Sequence, residues 1–159
     1  MCVDDHAIVR EGVALVLGRE RDCEVVATAS SGTEAVTLYR VHRPDVTLMD
    51  LRMPGMTGLQ AIQRIREEFP TAKIIVLTVY DGDEDVFNAI KAGATTYLLK
   101  DTLSADLVRA IRDVHQGRSP LNVVVSSCDK SYLNTERRRT TVAPPPHRLG
   151  LPLIVLLLL

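Results

Sequence analysis

The sequence has no Cys-x-x-Cys pair and no cluster of cysteine with histidine; Cys2, Cys23 and Cys128 stand apart. That spacing excludes a zinc knot. With an odd count it also excludes a disulfide framework and predicts reduced thiols in a cytoplasmic protein. There is no excess of either charge. Nineteen basic residues stand against twenty acidic ones, a formal net charge of -1, so the overall field calls for neither nucleic acid nor an anionic membrane. Asp4 and Asp5 occupy the place where a secretory leader needs basic residues and a long apolar run. No apolar run is long enough for a membrane span: residues 149–159 fall short of the about 20 required, and Pro152 interrupts them. Gly-x-Gly-x-x-Gly and the P-loop pattern are missing, which argues against a nucleotide enzyme. No internal repeat is present.

What is present is the balance of a globular protein, 46% apolar and 25% charged over 159 residues, enough for one ordinary domain and a tail. Short apolar runs rich in branched residues recur at Val25-Val26-Ala27, Val46-Thr47-Leu48-Met49, Ile74-Ile75-Val76-Leu77 and Tyr97-Leu98-Leu99. Apolar on consecutive positions, they suit strands covered on both faces. Helically spaced stripes alternate with them: Val9, Val13, Val16 and Leu17; Ala35, Leu38 and Tyr39; Leu59, Ile62, Ile65 and Phe69; Val86, Phe87 and Ile90; Leu107, Ile111 and Val114. Ser31-Gly32-Thr33 opens the second stripe, Phe69-Pro70 closes the third, and Gly93 and Gly117 follow the last two. Strand and helix in such alternation predict an α/β fold, a doubly wound parallel sheet with helices on both faces. The first strand is short, with only Met1, Cys2 and Val3 before the acidic pair.

Near Pro120 the pattern breaks. Residues 121–159 contain Arg137-Arg138-Arg139 and Pro144-Pro145-Pro146 and show no sustained periodicity. The expected division is a domain over 1–118 and a linker with an irregular, disordered tail over 119–159; a frameshift or a truncation would account for the junction.

In a parallel sheet the residues following the strands share one edge, where ligands bind in open α/β folds. Here they are Asp4 and Asp5, Asp50, Thr78 and Lys100. Three carboxylates so close must share protons or bind a cation. With only oxygen donors in the set, the cation indicated is magnesium or a similar hard ion. A hydroxyl from Thr78 and a charge from Lys100, facing a solvent-filled crevice, are the parts that hold a transferring phosphoryl group, and one carboxylate can be its nucleophile. Each residue has a duller reading. An Asp after a strand is often a cap or turn former, Lys100 a solvated surface charge, Tyr97 a half-buried core aromatic. His6 suggests a base, but no Ser or Cys nucleophile accompanies it.

Four ordered stretches resemble the receiver domains of two-component response regulators, in the branch that carries a C-terminal helix-turn-helix. They are Asp4-Asp5-His6-Ala7-Ile8-Val9-Arg10-Glu11-Gly12; residues 44–58, which include Met49-Asp50-Leu51-Arg52-Met53-Pro54-Gly55; Leu77-Thr78-Val79-Tyr80; and residues 92–101, ending Tyr97-Leu98-Leu99-Lys100-Asp101. The resemblance covers residues 1–118. It implies five strands in the flavodoxin-like order 2-1-3-4-5. It also implies Asp50 as phosphoacceptor and Mg2+ held by Asp5, Asp50 and the backbone carbonyl of Arg52, with Asp4 acting through water. Thr78 and Lys100 would bind the phosphoryl group, and Thr78 and Tyr97 would act as switch residues reshaping the face around the fourth helix and fifth strand. A sensor histidine kinase is the implied partner, and a homodimer is admitted. The DNA-binding module is not recognisable: Leu133-Asn134-Thr135-Glu136-Arg137 is a faint match to its opening, but no amphipathic helices follow. No specific DNA binding and no membrane association are expected of this chain. Two rivals stay open. An aspartate-nucleophile phosphohydrolase wants a second acid two positions after Asp50, where Arg52 stands; a phospho-independent pseudo-receiver, serving only as an interaction module, would have lost part of the acidic set.

Overall fold

Branched apolar residues on consecutive positions cannot leave either face of a strand in water, and the chain covers both. A computed structural model describes residues 1–79, 83–100 and 105–118. The expectation for 119–159 lies outside the described residues, as do Tyr80 and Asp101. The elements alternate: β1 (Cys2–Val3), α1 (Ala7–Leu17), β2 (Thr28–Ala29), α2 (Gly32–His42), β3 (Thr47–Asp50), α3 (Gly58–Glu68), β4 (Ile74–Thr78), α4 (Asp83–Lys91), β5 (Thr96–Leu99) and α5 (Ala105–His115). All five strands are parallel, in the order β2-β1-β3-β4-β5, as the resemblance implies.

Successive strand residues point to opposite faces, and two cores result. Val3, Met49, Ile74 and Val76 pack with Ala35, Val36 and Tyr39 of α2, Ala61, Ile62 and Ile65 of α3, and Ala89 of α4. Cys2, Leu48, Ile75, Leu77 and Leu98 face the other way, onto Val13 and Leu17 of α1 and Leu107, Val108 and Val114 of α5. The end signals act as expected. The Ser31 side chain accepts from the Glu34 N–H at α2, and Gly93 and Gly117 take the left-handed φ values of 109° and 75°.

Two expectations need correction. The run Val25-Val26-Ala27 is not β2; the strand begins at Thr28, because β1 has only two residues and offers nothing for the run to pair with beyond the bond from the Cys2 N–H to the Ala27 carbonyl. Phe87, expected in the fourth stripe's core, is 57% exposed, and the small Ala89 is the buried residue of α4.

Candidate functional site

Because the strands are parallel, their carboxyl ends lie along one edge. Asp4 leaves β1 with its N–H donated to the Ala29 carbonyl at 3.1 Å. Asp50 closes β3, Thr78 closes β4, and Lys100 follows β5. Asp50 is level with Leu77, and Thr78 with Leu99, so these side chains rise on neighbouring rungs. Asp4, Asp50 and Thr78 are all buried.

The Lys100 ammonium sits between two carboxylates, with Nζ 2.7 Å from Asp4 Oδ2 and 3.1 Å from Asp50 Oδ2. Its side chain is only 11% exposed. The expectation of a solvent-facing lysine is therefore corrected: Lys100 is drawn inward, because carboxylates buried without a counter-charge are far more costly than a buried pair. Burial works against the ammonium, but the bond to Asp4 and the attraction of Asp50 outweigh it and lift its pKa above the ordinary value. Asp50 moves up as well. Burial is the largest influence on its carboxyl and raises the pKa; Lys100 pulls it down, and repulsion from Asp4 adds to the rise.

His6 completes the cluster. Its Nδ1 stands 2.9 Å from Asp5 Oδ1 and 3.3 Å from Asp4 Oδ1, and its backbone N–H donates to Asp4 Oδ1 at 2.9 Å. Asp4, Asp5, His6 and Asp50 each offer a ligand atom, all within 4.8 Å of one another. Asp4 Oδ2 and Asp5 Oδ1 are sealed from solvent; the first faces the Lys100 ammonium and the second the His6 ring. Carboxylate oxygens of three acids crowded at one edge are the donor set of a hard divalent cation, so the residues present fit a magnesium-type site.

Of the remaining expected residues, Arg52 donates its N–H to Asp50 Oδ1 at 3.4 Å and turns its guanidinium to Asp85 Oδ2 at 3.1 Å. Tyr97 lies within β5, partly buried against the core formed with α2, α3 and α4. Two residues matter more than their sequence context suggests. His6 reads from sequence as a base without a nucleophile, although its place beside two acids is the signal for a ligand. Gly58, one residue of a longer motif in the sequence, is required by space. A Cβ there would fall 1.8 Å from the Asp50 carbonyl oxygen, and its N–H donates to the Leu51 carbonyl at 3.0 Å. Only glycine lets α3 start hard against the strand end that carries Asp50.

A parallel α/β sheet with acids and a lysine gathered at the carboxyl edge defines a phosphoacceptor signalling domain. The sequence matches the family described as "Response regulator receiver domain" over residues 1–112, and the chain belongs to that family: it carries the receiver of a two-component response regulator. Among curated proteins it is similar to the oxygen regulatory protein NreC of Staphylococcus epidermidis, 43% identical over 125 residues, which are 78% of this chain and 57% of the relative. The chain thus matches little more than half the length of that relative. Among solved structures it is similar to the receiver domain of the putative response regulator NarL from Mycobacterium tuberculosis (37% identity, TM-score 0.70, covering 74% of this chain and 94% of that one). It is also similar to a LuxR-family response regulator from Aurantimonas (37% identity, TM-score 0.72, covering 87% and 96%). Membership removes the phosphohydrolase rival. Among the described residues no helix is long and apolar enough to cross a membrane.

Proposed function

We propose that this receiver accepts a phosphoryl group from the phosphohistidine of a sensor histidine kinase, on Asp50. The supporting observation is the burial of Asp50 at the strand edge, within one cluster with Asp4 and Asp5 and 3.1 Å from the Lys100 ammonium. A carboxylate oxygen of Asp50 attacks phosphorus. The new O–P bond forms as the P–N bond to the donor imidazole breaks, and the departing nitrogen takes a proton from solvent. Lys100 moves from its carboxylate partners to the phosphoryl oxygens, and the Thr78 hydroxyl donates to another of them. Mg2+ would be held by Asp5, Asp50 and the Arg52 carbonyl, with Asp4 reaching it through water. When bound it neutralises the crowded carboxylates and the phosphoryl oxygens.

Thr78 and Tyr97 then serve as the switch: drawing Thr78 toward the phosphoryl group changes the room available to Tyr97 on the adjacent strand, and so the surface of α4 and β5. The domain spans 1–118. The protein works in the cytoplasm, derives from a transcriptional regulator and can form a homodimer.

The test is acetyl phosphate with Mg2+, read by intact mass. One phosphoryl group is expected on the parent, none on Asp50→Asn, and none after chelation. Labelling that survives either change would refute the assignment. An unlabelled parent would make the domain a phospho-independent pseudo-receiver.

A further inference from the structure

We propose that the His6 imidazole is a direct ligand, through Nδ1, of the cation held at this edge, and that the resulting set prefers Mn2+ and other first-row transition ions over Mg2+. The inference rests on the reading that a divalent cation occupies the acidic cluster. Its geometric basis is the spacing of the donor atoms. With metal–ligand bonds of about 2.1 Å, donors at right angles around an octahedral ion stand about 3.0 Å apart. Nδ1 of His6 lies 2.9 Å from Asp5 Oδ1, the spacing of neighbouring ligands on one ion, while Asp4 Oδ1, at 3.3 Å from Nδ1, accepts from the His6 N–H and reaches the ion through water.

The ring is turned to the acids and not to the helix end. His6 is the N-cap of α1, yet its side chain makes no capping bond. Its backbone N–H already satisfies Asp4 Oδ1 at 2.9 Å, so the ring is not needed to anchor the turn. The other cations of the cluster approach from different sides. Lys100 takes Asp4 Oδ2 and Asp50 Oδ2, and Arg10 takes the Asp4 backbone carbonyl. The Oδ1 atoms of Asp4 and Asp5 therefore face the imidazole, whose side chain is 65% exposed.

Ligand chemistry sets the preference. Mg2+ is a hard ion served by carboxylate, carbonyl and water oxygens, and an imidazole nitrogen adds little for it. The same nitrogen strengthens binding of transition ions, increasingly along the series from Mn2+ to Cu2+. An imidazolium paired with the acids would make the same two contacts in the metal-free protein, but an incoming cation would expel it. The two arrangements differ in the nitrogen bonded to metal.

Pulsed electron paramagnetic resonance on the full chain loaded with Mn2+ alone reads that nitrogen directly. The parent is expected to show the 14N hyperfine modulation of a bound imidazole. His6→Ala, checked for an unchanged far-ultraviolet spectrum and melting transition, is expected to lose it. In the same variant the Mn2+ affinity, read from the free-ion signal, falls about tenfold, while the Mg2+ affinity read by competition changes less than about threefold. Bound Mn2+ with oxygen ligands only, or a nitrogen signal that persists in His6→Ala, would overturn the proposal and leave the cation site standing. Failure of both ions to bind would overturn the proposal together with the cation site on which it rests.

Discussion

At the scale of single residues, charge decides how this edge behaves. The place of Lys100 at the strand edge is legible from the apolar run before it, but its burial is not. Sequence spacing places a side chain at the edge and says nothing of which way a long, flexible stem bends. With Nζ between Asp4 and Asp50, Lys100 is a structural counter-ion as well as an expected ligand for phosphate. Lys100→Ala therefore has two effects. In metal-free buffer it leaves two buried carboxylates without their ammonium and lowers stability by about 2–3 kcal/mol. It also slows labelling by acetyl phosphate in the fraction that stays folded. Urea denaturation with and without Mg2+ separates the two: the cation is expected to restore part of the lost stability but not the labelling rate. Unchanged stability without metal would place Lys100 in solvent. His6 is hard to read from sequence for a different reason: a histidine suggests a base in search of a nucleophile, and the structure sets its ring against two carboxylates.

At the scale of elements, the alternation of apolar runs and stripes is enough to give five strands, five helices and a parallel sheet. The strand boundaries at the amino end are less legible, because they depend on what lies opposite. Val25-Val26-Ala27 has the residues of a strand, but β1 begins only at Cys2 and the ladder on that side ends with it. A cavity of about 350 Å³ opens there, lined by Met1, Val25, Val26, Val46, Leu48 and Ile111 among others. The Met1 ammonium points into this region and donates to the Val46 carbonyl at 3.0 Å; burial pulls its pKa below 8.0. Joining three or four apolar, β-branched residues ahead of Met1 is expected to extend β1 into the cavity, pair Val25 and Val26, and move the charge out. Stability should rise by about 2 kcal/mol or more. The sign with pH follows from the lowered pKa. Below the folded-state value both states carry the proton and the penalty is complete; as pH rises toward 8.0 the folded chain releases the proton first, so the parent gains stability. The advantage of the extended chain should therefore narrow over that window. Equal denaturation midpoints for the two chains would mean that the cavity does not accept a strand. On the opposite edge, Gly58→Ala sets a methyl group against the Asp50 carbonyl 1.8 Å away. The α3 start must shift, at a cost of about 2–4 kcal/mol and with slower labelling of Asp50. An unchanged melting transition would show that the approach is looser than this.

At the scale of the whole molecule, two apolar cores clamp the sheet from both faces, and the unfavourable chemistry is concentrated on one edge. Met49 and Leu48 illustrate the arrangement: adjacent in β3, they belong to opposite cores, and the residue that follows them in the strand is the buried Asp50. The strand order cannot be read from periodicity, since patterns within single elements do not say which strands are neighbours; it comes from the family resemblance. The site can be located from the sequence because parallel topology sends every strand's end to one side. What that placement costs cannot be read, because desolvation depends on how far the neighbours close over each carboxylate. Asp50 carries a share of it. Its pKa is raised, chiefly by burial, so the folded state holds this proton more tightly than the unfolded chain. As pH rises from the unfolded value through the folded one, stability is lost, and above the folded value the whole penalty is present. Asp50→Asn removes that penalty and is expected to stabilise the metal-free protein at pH values above the folded pKa, a gain that shrinks as pH falls toward 3.8, the ordinary carboxyl value. A divalent cation offsets the same penalty in the parent by binding the native state alone. At a hundredfold excess over its dissociation constant it adds about 2.7 kcal/mol, which raises the melting temperature by several degrees and is reversed by chelation. The two effects draw on the same carboxylate, so they should not add: Asp50→Asn should melt higher than the parent without Mg2+ and respond much less to it. Calorimetry of both proteins, with the cation and with chelator, measures this directly. A full Mg2+ response in Asp50→Asn would place the cation away from Asp50.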